Sequence, residues 1–199
     1  RVVAVVNSDL ILESDLEEER RMAAFEPFRT KSTPTREQLI ERLIDRALIM
    51  QQFQLQPQSP ISDSELDAGL ATLRKTIPAC AAYHCETEAG WQKFVTDHGM
   101  TIEELRSFWR QRMEVLRFIE ERFRMGITIT RPEIDTFYQQ TLVPEFQKLH
   151  QPAPPEAKVS SRIREILLQQ EVNKLLEDWL KALRAQGTVR ILKPEETLP

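Results

Sequence analysis

The stretch VSSRIREILLQQEVNKLLEDWLKALRAQGTVRIL, residues 159–192, decides how the rest of the chain is read. Val159, Ile163, Ile166, Leu167, Leu168, Val172, Leu175, Leu176, Trp179, Leu180 and Leu183 recur every three or four residues, the helical period. Charged residues such as Arg164, Glu171, Lys174 and Lys181 fill the gaps. Gly187 offers a residue able to take positive φ past the helix end. The residues after it, Thr188-Val-Arg-Ile-Leu192, alternate like a short strand. That strand needs a partner, and the other strong β run is Val2-Val-Ala-Val-Val6, at the opposite end of the sequence. The two end segments are therefore expected to meet and to close what lies between into one unit.

Turning by about 100° per residue splits this long helix in two. Val159, Ile163, Ile166 and Leu167 fall on one side. Leu168, Val172, Leu175, Leu176, Trp179 and Leu183 centre roughly half a turn away. The second half is expected to pack on helices two and five and the terminal strands. The first half needs another cover: helix six, a second protomer or a client, with helix six preferred.

Composition describes an ordinary water-soluble chain of 199 residues with room for one good-sized core, or one core and a satellite. Five glycines disfavour β-rich folds and nucleotide-binding loops. With 27 basic and 31 acidic residues and no basic stripe, a nucleic-acid partner is not expected. No apolar run approaches the roughly 20 residues of a membrane span, so no membrane insertion is expected. Cys80 and Cys85 lie close together. In an exported protein they would close a small disulfide loop, the alternatives being two free thiols or a partial metal site with His84. The sequence opens at Arg1 without a signal peptide, either because export has removed it or because the sequence was begun there.

Between the two end segments the pattern is helical. Val2–Val6 and Leu10–Leu12 form a hairpin across Asn7-Ser-Asp9. Ser14-Asp-Leu-Glu17 is expected to cap a first helix reaching about Phe25. Thr33 and Pro34 open a second, apolar over much of its surface and read as the central buried one. Ser62 to Glu65 opens a third helix, Glu88 to His98 is a short fourth, and Thr101 to Glu104 caps a long fifth. Thr130 to Glu133 starts a sixth, which Pro144 must end or kink. His150-Gln-Pro-Ala-Pro-Pro155 is an extended spacer.

Several strings in this order resemble the SurA-type periplasmic chaperones. Val3-Ala-Val-Val-Asn7, Ile11-Leu-Glu-Ser-Asp15, Leu39-Ile-Glu-Arg-Leu-Ile-Asp45 and Ile61-Ser-Asp-Ser-Glu-Leu-Asp67 resemble the N-terminal region. So does Arg124-Met-Gly-Ile-Thr-Ile-Thr130 with Pro132-Glu-Ile-Asp135, while Trp179-Leu-Lys-Ala-Leu-Arg-Ala185 and Val189-Arg-Ile-Leu192 resemble the helix and strand that complete that core. The resemblance implies a mainly α fold, a multi-helix chaperone core with a small antiparallel sheet made by the N-terminal hairpin and the C-terminal strand. It implies residues 1–142 as chaperone core, 143–158 as a proline-rich linker, and 159–199 as the helix and strand completing it. That family commonly inserts a glycine-rich parvulin isomerase domain where this sequence has only the linker, with no glycine between Ile127 and Gln186. What is implied is a periplasmic holdase that binds unfolded outer-membrane or secreted polypeptides without ATP, cofactor, metal or isomerase activity. A dimerising module that exchanges its last helix, or an accessory subunit to a separate isomerase, is the rival.

A holdase needs an apolar concavity rather than a reactive group. Met22, Phe25 and Phe28 cluster where the first helix breaks, although they would equally staple helices one and two. Phe118 sits off the main stripe of helix five, and Ile163 and Leu167 lie on the first half of the last helix. These six are the candidate client-binding residues. No glycine-rich phosphate loop, serine–histidine–acid pattern or zinc-ligand spacing is present.

Overall fold

The computed structural model describes residues 1–26, 33–56 and 59–196. Phe28, one of the candidate residues, and the expected break after Glu26 lie outside them. Three strands, β1 (Val2–Val6), β2 (Asp9–Leu12) and β3 (Val189–Ile191), form one antiparallel sheet in the order β2-β1-β3. The described residues also contain eight α-helices: α1 (Glu13–Met22), α2 (Arg36–Gln54), α3 (Asp63–Thr76), α4 (Glu88–Asp97), α5 (Ile102–Phe123), α6 (Arg131–Phe137), α7 (Val143–Lys148) and α8 (Glu156–Gln186). The mainly helical fold with a small sheet from both end segments is thus what the chain adopts.

The chain divides into two compact units, one of residues 1–118 with 182–199 and the other of residues 119–181. The boundaries of these units fall inside α5 and α8.

In the first unit the sheet is closed as expected, and one chain supplies both strands. Val6 faces Val189 and Ala4 faces Ile191, while Val6 faces Asp9 across the hairpin. The turn is tight, at Asn7-Ser8 rather than Ser8-Asp9: Asn7 takes φ 55° and Asp9 already belongs to β2. Gln51 of α2 ties that turn down, donating to the Val6 carbonyl at 3.0 Å and accepting from Asn7 Nδ2 at 2.7 Å. Leu39, Ile40, Leu43, Ile44, Leu48 and Ile49 make α2 the buried helix its composition indicated. Past the end of α8, Gly187 is not among the residues with positive φ, contrary to expectation. Its role is steric, since a Cβ there would stand 2.4 Å from Asn7 Oδ1. That oxygen accepts from the Thr188 N–H at 2.9 Å, which locks β3 to the hairpin.

Two helix starts differ from the sequence reading. α1 begins before Ser14, because the Asp15 carboxylate accepts the Leu12 N–H at 2.7 Å. α2 begins after Thr35, which accepts from the Gln38 N–H while Gln38 returns the bond to the Thr35 N–H at 2.9 Å. Thr33 and Pro34 precede the helix. The reciprocal pairs at Ser62–Glu65, Thr101–Glu104 and Thr130–Glu133 stand where they were expected.

In the second unit, Pro144 neither ends nor sharply breaks the sixth helical run. A π turn at Tyr138–Leu142 precedes it, and the Val143 N–H reaches back to the Tyr138 carbonyl. The wider turn makes room for a ring that would otherwise meet the carbonyl four residues back. Residues 149–155 connect α7 to α8, and Tyr138 Oη fastens this connection by donating to the Pro154 carbonyl at 2.9 Å. The first half of α8 packs on α6, the cover expected for it: Ile163 joins Ile129 and Ile134 in a core flanked by Phe137, Val159 and Leu167. The later half of α8 meets the end of α5 through Trp179, edge-on to Phe123 at 5.5 Å and beneath the Arg122 guanidinium.

Candidate functional site

The helical part of the first unit is built on one cluster in which α3, α4 and α5 pack with the end of α1. Phe25 sits at its centre, edge-on to Phe94 at 5.4 Å and to Trp91 at 6.3 Å. Between α3 and α4 a 3-10 turn, Pro78–Tyr83, leads into the bonded pair Cys80–Cys85, so the expected disulfide is the alternative the chain adopts. Both sulfurs are buried in the same cluster. Gly90 lets α4 approach this loop: a Cβ there would lie 2.1 Å from the Tyr83 carbonyl oxygen and 2.3 Å from that of His84.

The outer side of this cluster is a trough made of two hollows, about 320 and 500 Å³, which share Ala71 and Arg74 as a common wall. Its floor is the upper side of the core. Leu70, Leu105 and Trp91 underlie one hollow, and Ile77 with the disulfide underlies the other. Ala71, Pro78 and Ala81 are exposed and small, so the floor is reachable from solvent. Two ion pairs stand at the first hollow, and Lys75 and Glu86 line the second. Arg106 meets Asp67 at 2.7 Å, and Arg74 meets Glu88 at 2.7 Å while lying over the Trp91 ring. The bond from Arg74 holds the Glu88 carboxyl below the ordinary carboxylate range. A rim carrying both charge signs over an apolar floor is an arrangement able to accept apolar segments of many sequences.

The second unit has its own hollow of about 370 Å³, lined by Pro132, Phe137, Thr136, Gln140 and Leu167. Among the described candidate residues from the sequence, Leu167 lines this hollow. Met22 and Phe25 are 3% and 0% exposed inside the α3–α5 cluster, so they are core, stapling α1 to that cluster. Phe118 is 2% exposed, set edge-on to Phe53 of α2 at 5.9 Å, because α5 is covered by α2 on the side away from its main stripe. Ile163 is 1% exposed in the core of the second unit. The trough residues were missed because Leu70 and Ile77 count as helical core positions in any periodicity. The available signal was the small Ala71 and Ala81 where larger side chains would cover that core. Among the described residues no three His, Cys, Asp or Glu side chains converge as metal ligands, and no helix is long and apolar enough to cross a membrane.

No family model matches the chain, and no curated protein does. Among solved structures it is similar to one from work on the virulence factor PEB4 and the periplasmic protein Cj1289, two structurally related SurA-like chaperones of Campylobacter jejuni. The two superpose with a TM-score of 0.59 over 96% of this chain and 99% of that one, at 11% sequence identity. The fold of this chain is therefore that of a SurA-like chaperone over nearly its whole length.

Proposed function

We propose that the chain is an ATP-independent holdase of the periplasm, taking apolar segments of unfolded outer-membrane or secreted polypeptides reversibly into the α3–α4–α5 trough. The observation that carries this reading is the trough itself: an apolar floor continuous with the core, reached past small residues and bounded by charges of both signs. Reversible capture lowers the population of free unfolded chain available to aggregate. The disulfide beneath the floor suits an oxidising compartment. The hollow at Phe137 and Leu167 is a second contact for the same clients. The activity assigned is binding, without peptide-bond isomerisation, since the link at 149–155 takes the place where the resembling family carries its isomerase.

Light scattering tests this directly. A urea-unfolded outer-membrane protein diluted into buffer should aggregate less in the presence of the chain at modest excess. Ala71→Glu, an exposed substitution in the wall shared by the two hollows, should raise the concentration needed by roughly tenfold, the scale of about 1.4 kcal/mol of lost affinity. Undiminished aggregation with the unaltered chain in excess would overturn the holdase reading. Turnover of a proline-containing tetrapeptide above background would overturn the claim of binding alone.

A further inference from the structure

A second feature of the first unit points to a more selective contact. Phe108, Arg112, Val115 and Leu116 are spaced to share one face of α5. With Arg46 of α2, which lies over the Phe108 ring at 5.2 Å, they line a hollow of about 100 Å³. Leu116 stands at its mouth, 48% exposed. Three guanidiniums gather here against two carboxylates. Arg46 meets Glu19 of α1 at 2.7 Å, and Arg42 meets Glu26 at 2.7 Å. Arg112 is the one left over: it lies over the Trp109 ring at 5.3 Å and has no carboxylate partner among the described residues. Burial pushes it below the ordinary guanidinium range, offset in part by the fields of Glu26 and Glu19. It nonetheless remains charged, as arginines in proteins do. A half-buried cation without an acceptor is costly to keep, and a carboxylate is the group that relieves it.

We infer that this hollow takes the chain-terminal carboxylate of a client whose last residue is apolar. A terminal residue carries its carboxylate and its side chain on one Cα. It can therefore bond Arg112 and pack on Phe108, Val115 and Leu116 together, within a space that holds little more than one side chain. An internal Asp or Glu brings the charge on a short stem, with no apolar branch to fill the rest. The inference rests on the holdase reading and adds a preferred end to it.

The test is fluorescence anisotropy with three labelled peptides of one apolar sequence: a free terminal carboxylate after leucine, the same peptide amidated, and the amidated peptide with an internal glutamate. The free acid should bind at least tenfold more tightly than the amide. In Arg112→Gln the acid should fall to the level of the amide while the amide is unchanged, which also reports that the variant is folded. Equal binding of acid and amide, equal binding of acid and internal glutamate, or discrimination that survives in Arg112→Gln each overturns the site alone. Binding of none of the three overturns the site together with the holdase reading.

Discussion

Gly90 and Gly187 do different work from what their residue type suggests. Neither takes positive φ; Gly99, at φ 75°, is the described glycine that does. Gly90 stands where backbone oxygens of Tyr83 and His84 leave no room for a methyl group. Gly90→Ala should therefore cost about 2 kcal/mol or more, as overpacking against backbone that cannot step aside does. The denaturant midpoint of unfolding measures it. Glu156, the first residue of α8, gives a pH effect of opposite sign to that of Glu13, Glu65, Glu88 and Glu104. Its hydrogen bond with Asp135 holds it above the ordinary 4.5, with burial adding and Arg131 opposing. A carboxyl raised in the folded state contributes stability that is full below the unfolded value and is lost as pH rises through the folded one. Glu13, Glu65, Glu88 and Glu104 are lowered by hydrogen bonds from arginines or from helix-start groups, so their contribution is lost as pH falls below 4.5. Glu156→Gln should flatten the pH dependence of the melting temperature just above 4.5 and leave the acid limb unchanged.

Helix starts show what a sequence reveals and what it hides. Ser62–Glu65, Thr101–Glu104 and Thr130–Glu133 could be read directly, since a hydroxyl and a carboxylate three residues on satisfy each other's backbone donors. Before α2 two threonines compete, and Thr33 with its following proline looks the stronger on residue preference alone. Thr35 wins because Gln38 can answer it. Thr35→Ala should cost about 1 kcal/mol, and Thr33→Ala should leave the thermal midpoint unchanged. The half-turn shift along α8 was legible in part: Ile163 and Leu167 do lie with Ile134 and Trp179 with Phe123, but Leu168, counted with the later group, packs with the first. That Phe118 is buried could not be read, since what covers it is Phe53, 65 positions earlier, brought there by tertiary packing. In the second unit Ile163, Ile134 and Ile129 are the buried centre, so Ile163→Ala should cost about 2–5 kcal/mol. It should appear as faster amide hydrogen exchange confined to residues 119–181.

For the molecule as a whole, closure of the sheet and the disulfide loop are the long- and short-range ties. The pairing of β1 with β3 was foreseen from two β runs and a shortage of other partners. The trough was not, because a concavity is made by what small residues fail to cover. Replacing both cysteines by alanine opens a loop spanning a sequence separation of 5, and on loop entropy alone this should cost about 2 kcal/mol. Urea unfolding with and without reductant measures it. Since both sulfurs lie under the trough, the reduced chain should also protect an aggregating client less well than the oxidised one at equal concentration.

The order in which the sheet is completed has a consequence in time. Asn7 and Thr188 hold each other across a sequence separation of 181, so during synthesis one side of Val2–Val6 waits for residues made that many positions later. At the usual pace of a ribosome that interval is roughly ten to forty seconds. Throughout it the nascent polypeptide shows a bare strand edge beside apolar helices, the kind of surface that draws neighbours into aggregates. Until β3 arrives, the chain itself carries the hazard that the proposed holding activity would relieve in other polypeptides.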